Sequence, residues 1–286
     1  MNEIPLRKIR SQKEPAFAES FSIRNIADVL AGRDMVQELH RHDFFFMLAL
    51  EKGRGKHEID FKQFEITGHS IFLMRPGQVH HLMLKAGSTG YLIGFQNDFL
   101  NSNDRTSSQL LREASKRNHY LVDRNRFKKM NDLLTDIFHE YTKKQNKYWD
   151  VIKAALSIFF IELIRSTDKP ESITNVKTLY AQERLDKFLE LLENHISTHK
   201  KVSEYADMLN LSAYQLNAIT KRTIGKKCSD LIDEQIILES KRYLLVTSNQ
   251  VNQIAYQLGF EDVSYFIRFF KKHTGHTPDS FRNNLR

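Results

Sequence analysis

Three histidines in this chain stand where strand geometry would gather their rings. His40 and His42 are two apart, so on a strand both imidazoles leave one face, and His80 follows Pro76-Gly77 on a later strand. Three such rings can converge on a divalent metal; in an apolar cavity they can instead orient a small molecule. Phe44 and Phe46 share the face of His40 and His42, and Arg75 offers a cation to an anionic ligand. The candidate ligand contacts are therefore His40, His42, Phe44, Phe46, Arg75 and His80. A second set lies near the other end, in "IAYQLGFEDVSYFIRFFKKHTGHTPDSFR" (residues 254–282), where Arg268, Lys271 and Lys272 accompany aromatics at helical spacing. Their chemistry is recognition of phosphates and base edges. Nothing points to catalysis: there is no G-x-x-x-x-G-K phosphate loop, no Cys-x-x-Cys and no Ser-His-Asp pattern.

The histidines need strands. From about residue 20 to 100 glycines recur at 53, 55, 68, 77, 87, 90 and 94, and the runs between them are strand-length: "DFFFMLAL", "KHEIDFKQFEI", "HSIFLMRPG", "VHHLMLK", "GYLIGFQ". Strands without helical patterns between them predict an antiparallel sandwich or small barrel. After Gly94 no glycine occurs until Gly225, and apolar residues take a period near 3.6. Phe127, Met130, Leu134, Ile137 and Tyr141 form one stripe, and Trp149, Ile152, Leu156, Phe159 and Leu163 another. The second helix also carries Val151, Ala155, Ile158 and Ile161, so it must cover two surfaces. One is its own barrel; the other is a helix of the same chain or of a second subunit, which leaves a homodimer open. "STDKPESITNVKTL" (166–179) is polar, contains Pro170 and reads as a linker; the chain beyond is helical.

Size and composition agree with this division. The 286 residues predict two domains, and 41% hydrophobic with 27% charged residues describe an ordinary globular chain. A net charge of +8 favours an anionic partner. The most apolar run, 154–164, is too short to span a bilayer and contains Glu162, so no membrane partner is expected. "MNEIPLRKIR" lacks the apolar stretch of a leader, and one cysteine, Cys228, excludes an internal disulfide; the expected setting is the cytoplasm.

The helical end repeats itself. Ala206 aligns with Ala255, Leu209 with Leu258, Asn210-Leu211 with Gly259-Phe260 and, after one inserted residue, Leu216 with Phe266, Lys221 with Lys271 and Gly225 with Gly275. Each copy reads as helix, tight turn, helix. Asn210 and Gly259 fall where the backbone must turn left-handed, Ser212 and Asp262 can cap the second helices, and the alanines let those helices cross closely. A helix from Ser229 to Thr247, about 27 Å long, separates the copies. Successive major-groove faces lie about 34 Å apart, so such a rod sets two recognition helices in consecutive grooves. With Leu216, Ile219, Phe266, Phe269 and Phe270 in the core, the residues left for DNA are Tyr214, Gln215, Asn217, Ala218 and Lys221 in one copy. In the other they are Val263, Ser264, Ile267, Arg268, Lys271 and Lys272. Charge alone does not identify this region: from residue 182 on, 15 Lys/Arg meet 13 Asp/Glu.

These residues resemble the DNA-binding domain of the AraC/XylS family of bacterial transcription regulators. The Ile-Ala, Gly-Phe, Ser-Tyr-Phe, Phe-Lys-Lys, Gly-x-x-Pro and Phe-Arg elements of 254–282 carry the likeness, with "VSEYADMLNLSAYQLNAITKRTIGKK" (202–227) as the upstream copy. The resemblance implies seven helices with two helix-turn-helix units. "HRHDFFFMLALEKGRGKHEID" (40–60) and "PGQVHH" (76–81) are similar to the cupin-type sensor of that family. Metal-binding cupins supply a glutamate shortly after the first histidine pair; here Phe46 and Met47 fill that stretch and Glu51 comes late, so neither a metal nor another cofactor is expected. The expected architecture is α+β and multidomain. A cupin or jelly-roll-like antiparallel barrel spans 1–105, a helical extension suited to dimerisation 106–165 and a linker 166–180. An all-α domain with two helix-turn-helix units spans 181–286. The implied function is sequence-specific binding of double-stranded promoter DNA, under control of a small-molecule effector or of dimerisation, with RNA polymerase as a further partner. The alternative is a cupin metalloenzyme with an accessory helical domain.

Overall fold

The computed structural model describes residues 6–7, 20–96, 99, 105–167 and 176–284. Contacts divide the chain into two compact units that meet in sequence at residues 169 and 170.

The first unit is built on two five-stranded sheets. One has the order β1 (Leu6–Arg7), β3 (Met35–His42), β8 (Val79–Leu84), β5 (Gly55–Ile59), β6 (Lys62–Ile66). The other runs β10 (His119–Leu121), β7 (Ser70–Met74), β4 (Phe45–Lys52), β9 (Thr89–Phe95), β2 (Phe21–Asn25). All pairings are antiparallel except β1 with β3. The run "FFMLAL" is continuous because β4 is covered on both faces. Phe46, Leu48 and Leu50 enter the core between the sheets, with Ile59, Phe72, Leu82 and Leu92. Met47 and Ala49 point the other way, into a core shared with helices.

Those helices are α2 (Arg105–Ala114), α3 (Arg124–Lys143) and α4 (Tyr148–Arg165); a short α1 (Ile26–Leu30) follows β2. Phe127, Met130, Leu134 and Ile137 of α3 and Ile152, Leu156, Phe159 and Leu163 of α4 are buried as their spacing predicts. Residues 106–165 are more than a helical extension. They supply β10, which pairs with β7, and they close the outer face of the second sheet. Asp123 caps α3 by accepting from the backbone of Asn125 and Arg126. Glu162, almost fully buried on α4, gathers Lys129 at 2.7 Å, Arg165 at 3.4 Å and Arg126 at 3.6 Å. Val151 and Ile158 of the same helix remain 45% and 46% exposed, which leaves part of its second apolar face open.

The second unit has seven helices among its described residues: α5 (Val176–His195), α6 (Val202–Met208), α7 (Ala213–Ile224), α8 (Cys228–Val246), α9 (Val251–Gln257), α10 (Val263–Thr274) and α11 (Pro278–Asn284). Residues 176–180, expected in the linker, begin α5; 168–175 lie outside the described residues. One core joins both halves of the repeat. Leu185, Phe188 and Leu192 of α5 and Ile232, Ile236 and Leu244 of α8 pack with Leu216 of the first copy and Phe266 and Phe270 of the second. Cys228 is buried there, its thiol pushed up in pKa by burial. Among the described residues no helix is long and apolar enough to cross a membrane.

Candidate nucleic-acid interface and buried histidine cluster

The two helix-turn-helix copies are built by matching bonds. The Leu211 N–H donates to the carbonyl of Ala206 at 2.9 Å, and the Phe260 N–H to that of Ala255 at 2.9 Å. Asn210 and Gly259 both adopt left-handed backbone, at φ 54° and 70°. Glycine is required at 259, since a Cβ there would lie 1.9 Å from the Ser197 carbonyl oxygen. The same turn is held by the Lys200 ammonium, which donates to the Gly259 carbonyl at 2.9 Å from just ahead of α6. Ser212 and Gln215 form a reciprocal capping box at the start of α7, and Asp262 accepts from the Ser264 N–H at 2.7 Å to start α10. Ala206 and Ala255 are buried against the helices that cross them.

The candidate contacts divide by what else they do. Tyr214 is 83% exposed, and Ala218, Lys221, Ser264, Arg268, Lys271 and Lys272 are also exposed. Gln215 is exposed, with its carbonyl oxygen accepting from the Ser212 N–H and its amide group left toward solvent. Asn217 is otherwise engaged. Its Oδ1 accepts from the Cys228 N–H at 3.0 Å and its Nδ2 donates to the Ala213 carbonyl at 3.1 Å, so it starts α8 instead of facing outward. Val263 and Ile267 are half-buried against the shared core, on the flank of Phe266 and Phe270. Arg268 reaches back to Asp262 at 3.9 Å, a long, exposed pair worth little. Two exposed residues escaped the sequence reading: Arg222 and Tyr265. The repeat register could have found them, because Lys272 aligns with Arg222 and Gln215 with Tyr265.

In the barrel the histidines converge. His40 and His80 are paired across β3 and β8, and the Gly77 N–H donates to the His42 carbonyl at 2.8 Å, so the Pro76-Gly77 turn sets both strands. Asp60 and Asn118 hold the Gln78 side chain behind that turn. His80 Nε2 lies 2.9 Å from His40 Nε2 and 3.0 Å from His42 Nε2. A fourth ring, which the sequence reading missed, joins them: His57 Nε2 is 2.8 Å from His80 Nδ1. Only the two-residue alternation with buried Ile59 marked His57 as inward-facing. Burial among rings pushes the His57 pKa down to about 3, which keeps it neutral. Phe46 stacks on His42 at 5.0 Å between centroids, with Phe44 at 4.5 Å from the same ring. Arg75 stands apart in role: its side chain is half-buried, and its backbone N–H donates to Gln78.

A two-sheet barrel joined in one chain to a helical unit with two solvent-facing recognition helices defines a DNA-binding transcription regulator. The AraC-like ligand binding domain matches residues 30–156 and the helix-turn-helix domain residues 205–284. The chain belongs to the AraC family. The HTH-type transcriptional activator RhaS of Escherichia coli is 23% identical over 251 residues, covering 85% of this chain and 86% of that protein. Among solved structures, the C-terminal domain of the response regulator yesN from Fusobacterium nucleatum is 30% identical, with TM-score 0.33, over 35% of this chain and 98% of that one. ToxT from Vibrio cholerae is 18% identical, with TM-score 0.44, over 92% and 97%. With the family established as one of regulators, the metalloenzyme alternative is set aside.

Proposed function

We propose that this protein acts in the cytoplasm on promoter DNA, laying α7 and α10 into consecutive major grooves. The carrying observation is that both helices present the same aligned positions to solvent while sharing one core: Tyr214 with Ser264, Gln215 with Tyr265, Ala218 with Arg268, Lys221 with Lys271, Arg222 with Lys272. Arg268 suits a guanine edge or a phosphate, and the lysines suit phosphates. The barrel is the regulatory input. An effector bound within it, or self-association through the α4 face bearing Val151 and Ile158, favours one arrangement of the protein on DNA and so sets whether RNA polymerase is recruited.

Sequencing the DNA that co-purifies with the protein tests the reading. A recurrent motif with two half-sites one helical turn apart is expected, and recovery of DNA without sequence preference overturns it. Light scattering of the Ile158→Glu variant tests self-association: halving of a dimeric mass is expected, and an unchanged mass removes this face from the reading.

A further inference from the structure

We infer that Arg117, Arg124 and Lys128 are the centre of a second DNA-contacting surface, carried by the barrel unit, which takes the backbone phosphates of duplex flanking the recognition sites. This contact presupposes that the protein binds promoter DNA, as proposed above, and adds to what α7 and α10 supply.

The charge of the chain does not lie with its readers. From residue 182 on, 15 Lys/Arg meet 13 Asp/Glu, so the unit that holds α7 and α10 accounts for +2 of the net +8. The 18 residues 112–129 hold 7 Lys/Arg against 2 Asp/Glu, which is +5. All other residues together, 21 Lys/Arg against 20 Asp/Glu, contribute +1. An excess concentrated in one short segment raises the local potential and draws a polyanion, and the polyanion this protein meets is DNA.

The elements hold these cations on one stretch of the barrel unit. Arg112 lies in the last turn of α2, and Lys116 and Arg117 follow it. The Tyr120 hydroxyl then donates to the Ala114 carbonyl, which keeps the chain beside the end of that helix. β10 pairs with β7, the Val122 N–H donates to the His69 carbonyl at 3.0 Å, and Asp123 caps α3, whose first residue is Arg124. Arg124 and Lys128 are four apart, so they are neighbours on α3, outside the buried stripe of Phe127 and Met130. Arg117 and Arg124 are seven residues apart, hence at most about 25 Å, roughly the rise of seven base pairs. Arg117, Arg124 and Lys128 are exposed, as are Arg112 and Lys116. Arg126 and Lys129 are drawn to Glu162 instead and join α3 to α4.

Structural roles do not account for so many cations. A lysine on an edge strand protects it from pairing with another chain, but β10 is His119, Tyr120 and Leu121, and the cations only flank it. Nor do they serve the helix. Beyond the capping Asp123, the first turn of α3 holds Arg124 and Arg126 and no acid, which the positive end of a helix disfavours. Phosphates offset this repulsion. Long, exposed side chains of this kind follow a backbone without reading bases, so the surface supplies affinity and not sequence.

The test measures binding of the full chain to two duplexes over a range of salt. Both carry the preferred sites; one ends at their borders and one extends about two helical turns beyond on each side. Wild type is expected to show the steeper salt dependence on the extended duplex. A variant with Arg117→Gln, Arg124→Gln and Lys128→Gln together should lose about 2 to 3 of that slope, at about 0.9 for each phosphate contact, with its base preference unaltered. On the short duplex the variant should match wild type, which also shows that it is folded. Hydroxyl-radical footprinting of wild type should protect backbone outside the sites, a readout that needs no variant. Equal wild-type slopes on the two duplexes, or a wild-type slope in the triple variant, overturn the surface. Unchanged slopes with transcription lost in vitro assign the patch to an acidic protein partner and overturn it equally. Absence of specific binding to either duplex overturns the promoter-binding reading instead.

Discussion

At the scale of single residues, the two second helices of the repeat separate exposed groups, proposed above to read DNA, from groups that hold the fold together. Arg268 is exposed and, among the described residues, held only by its long pair with Asp262, so on the proposed reading Arg268→Ala should cost about 1–3 kcal/mol at the preferred site and relax selectivity at one base pair. Lys271→Ala should weaken all sequences alike and lower the salt slope by about 1. Fluorescence anisotropy on matched and mismatched duplexes at several salt concentrations distinguishes them; identical behaviour of the two variants would remove base readout from Arg268. Asn217 belongs to the other group. Because its amide starts α8, Asn217→Ala should lower stability by about 0.5–2 kcal/mol in urea and leave the preferred sequence unaltered. A changed base preference at full stability would return Asn217 to the interface. The periodicity that placed Leu216 and Phe266 inside carried no sign of this cap, which depends on the Gly225–Lys227 turn bringing Cys228 back over α7. His57 was marked in sequence only as inward-facing, by its alternation with Ile59. Its partner is 23 residues away, and a single histidine in "KHEIDF" carries no spacing to read.

At the scale of elements, the sequence was most legible where one pattern repeated. The turns at Asn210 and Gly259, the caps at Ser212 and Asp262 and the rod between the copies all stand where the alignment set them. Short strands left no such trace. "KHEIDFKQFEI" is two strands folded at Asp60-Phe61, which take φ of 44° and 68°, and β10 is three residues between helices. The joint between α3 and α4 permits an acid test. The Lys129 hydrogen bond, with the fields of Lys129, Arg165 and Arg126, holds the Glu162 carboxyl below its ordinary 4.5, against burial, which acts the other way. A depressed pKa contributes stability above the unfolded value, and that contribution is lost as pH falls through the folded one. Calorimetry should therefore show wild type losing stability from about pH 5 downward, with Glu162→Gln less stable at neutral pH and flatter on acidification. Parallel curves for the two proteins would show that the cluster does not couple to folding.

At the scale of the molecule, the two readers are less separate than a rod between them suggests. The rod α8 is 19 residues, about 28 Å, and it sits inside the core that both copies share. Lys200 adds a direct clasp, since it lies just ahead of the first copy and grips the turn of the second. The distance between the readers is thereby fixed from two sides. Inserting five base pairs between the half-sites turns the second one to the opposite face of the duplex. Affinity should then fall to that of a single half-site, whereas a full-turn insertion places it out of reach on the correct face and should fare no better. Gel-shift titration of such spacer variants measures this, and retained affinity with either insertion would mean that the readers yield to one another. On the proposed reading, promoters served by this protein have no freedom to drift in spacing: a lone insertion or deletion between the two boxes would silence the site, while base changes within a box would cost one contact each.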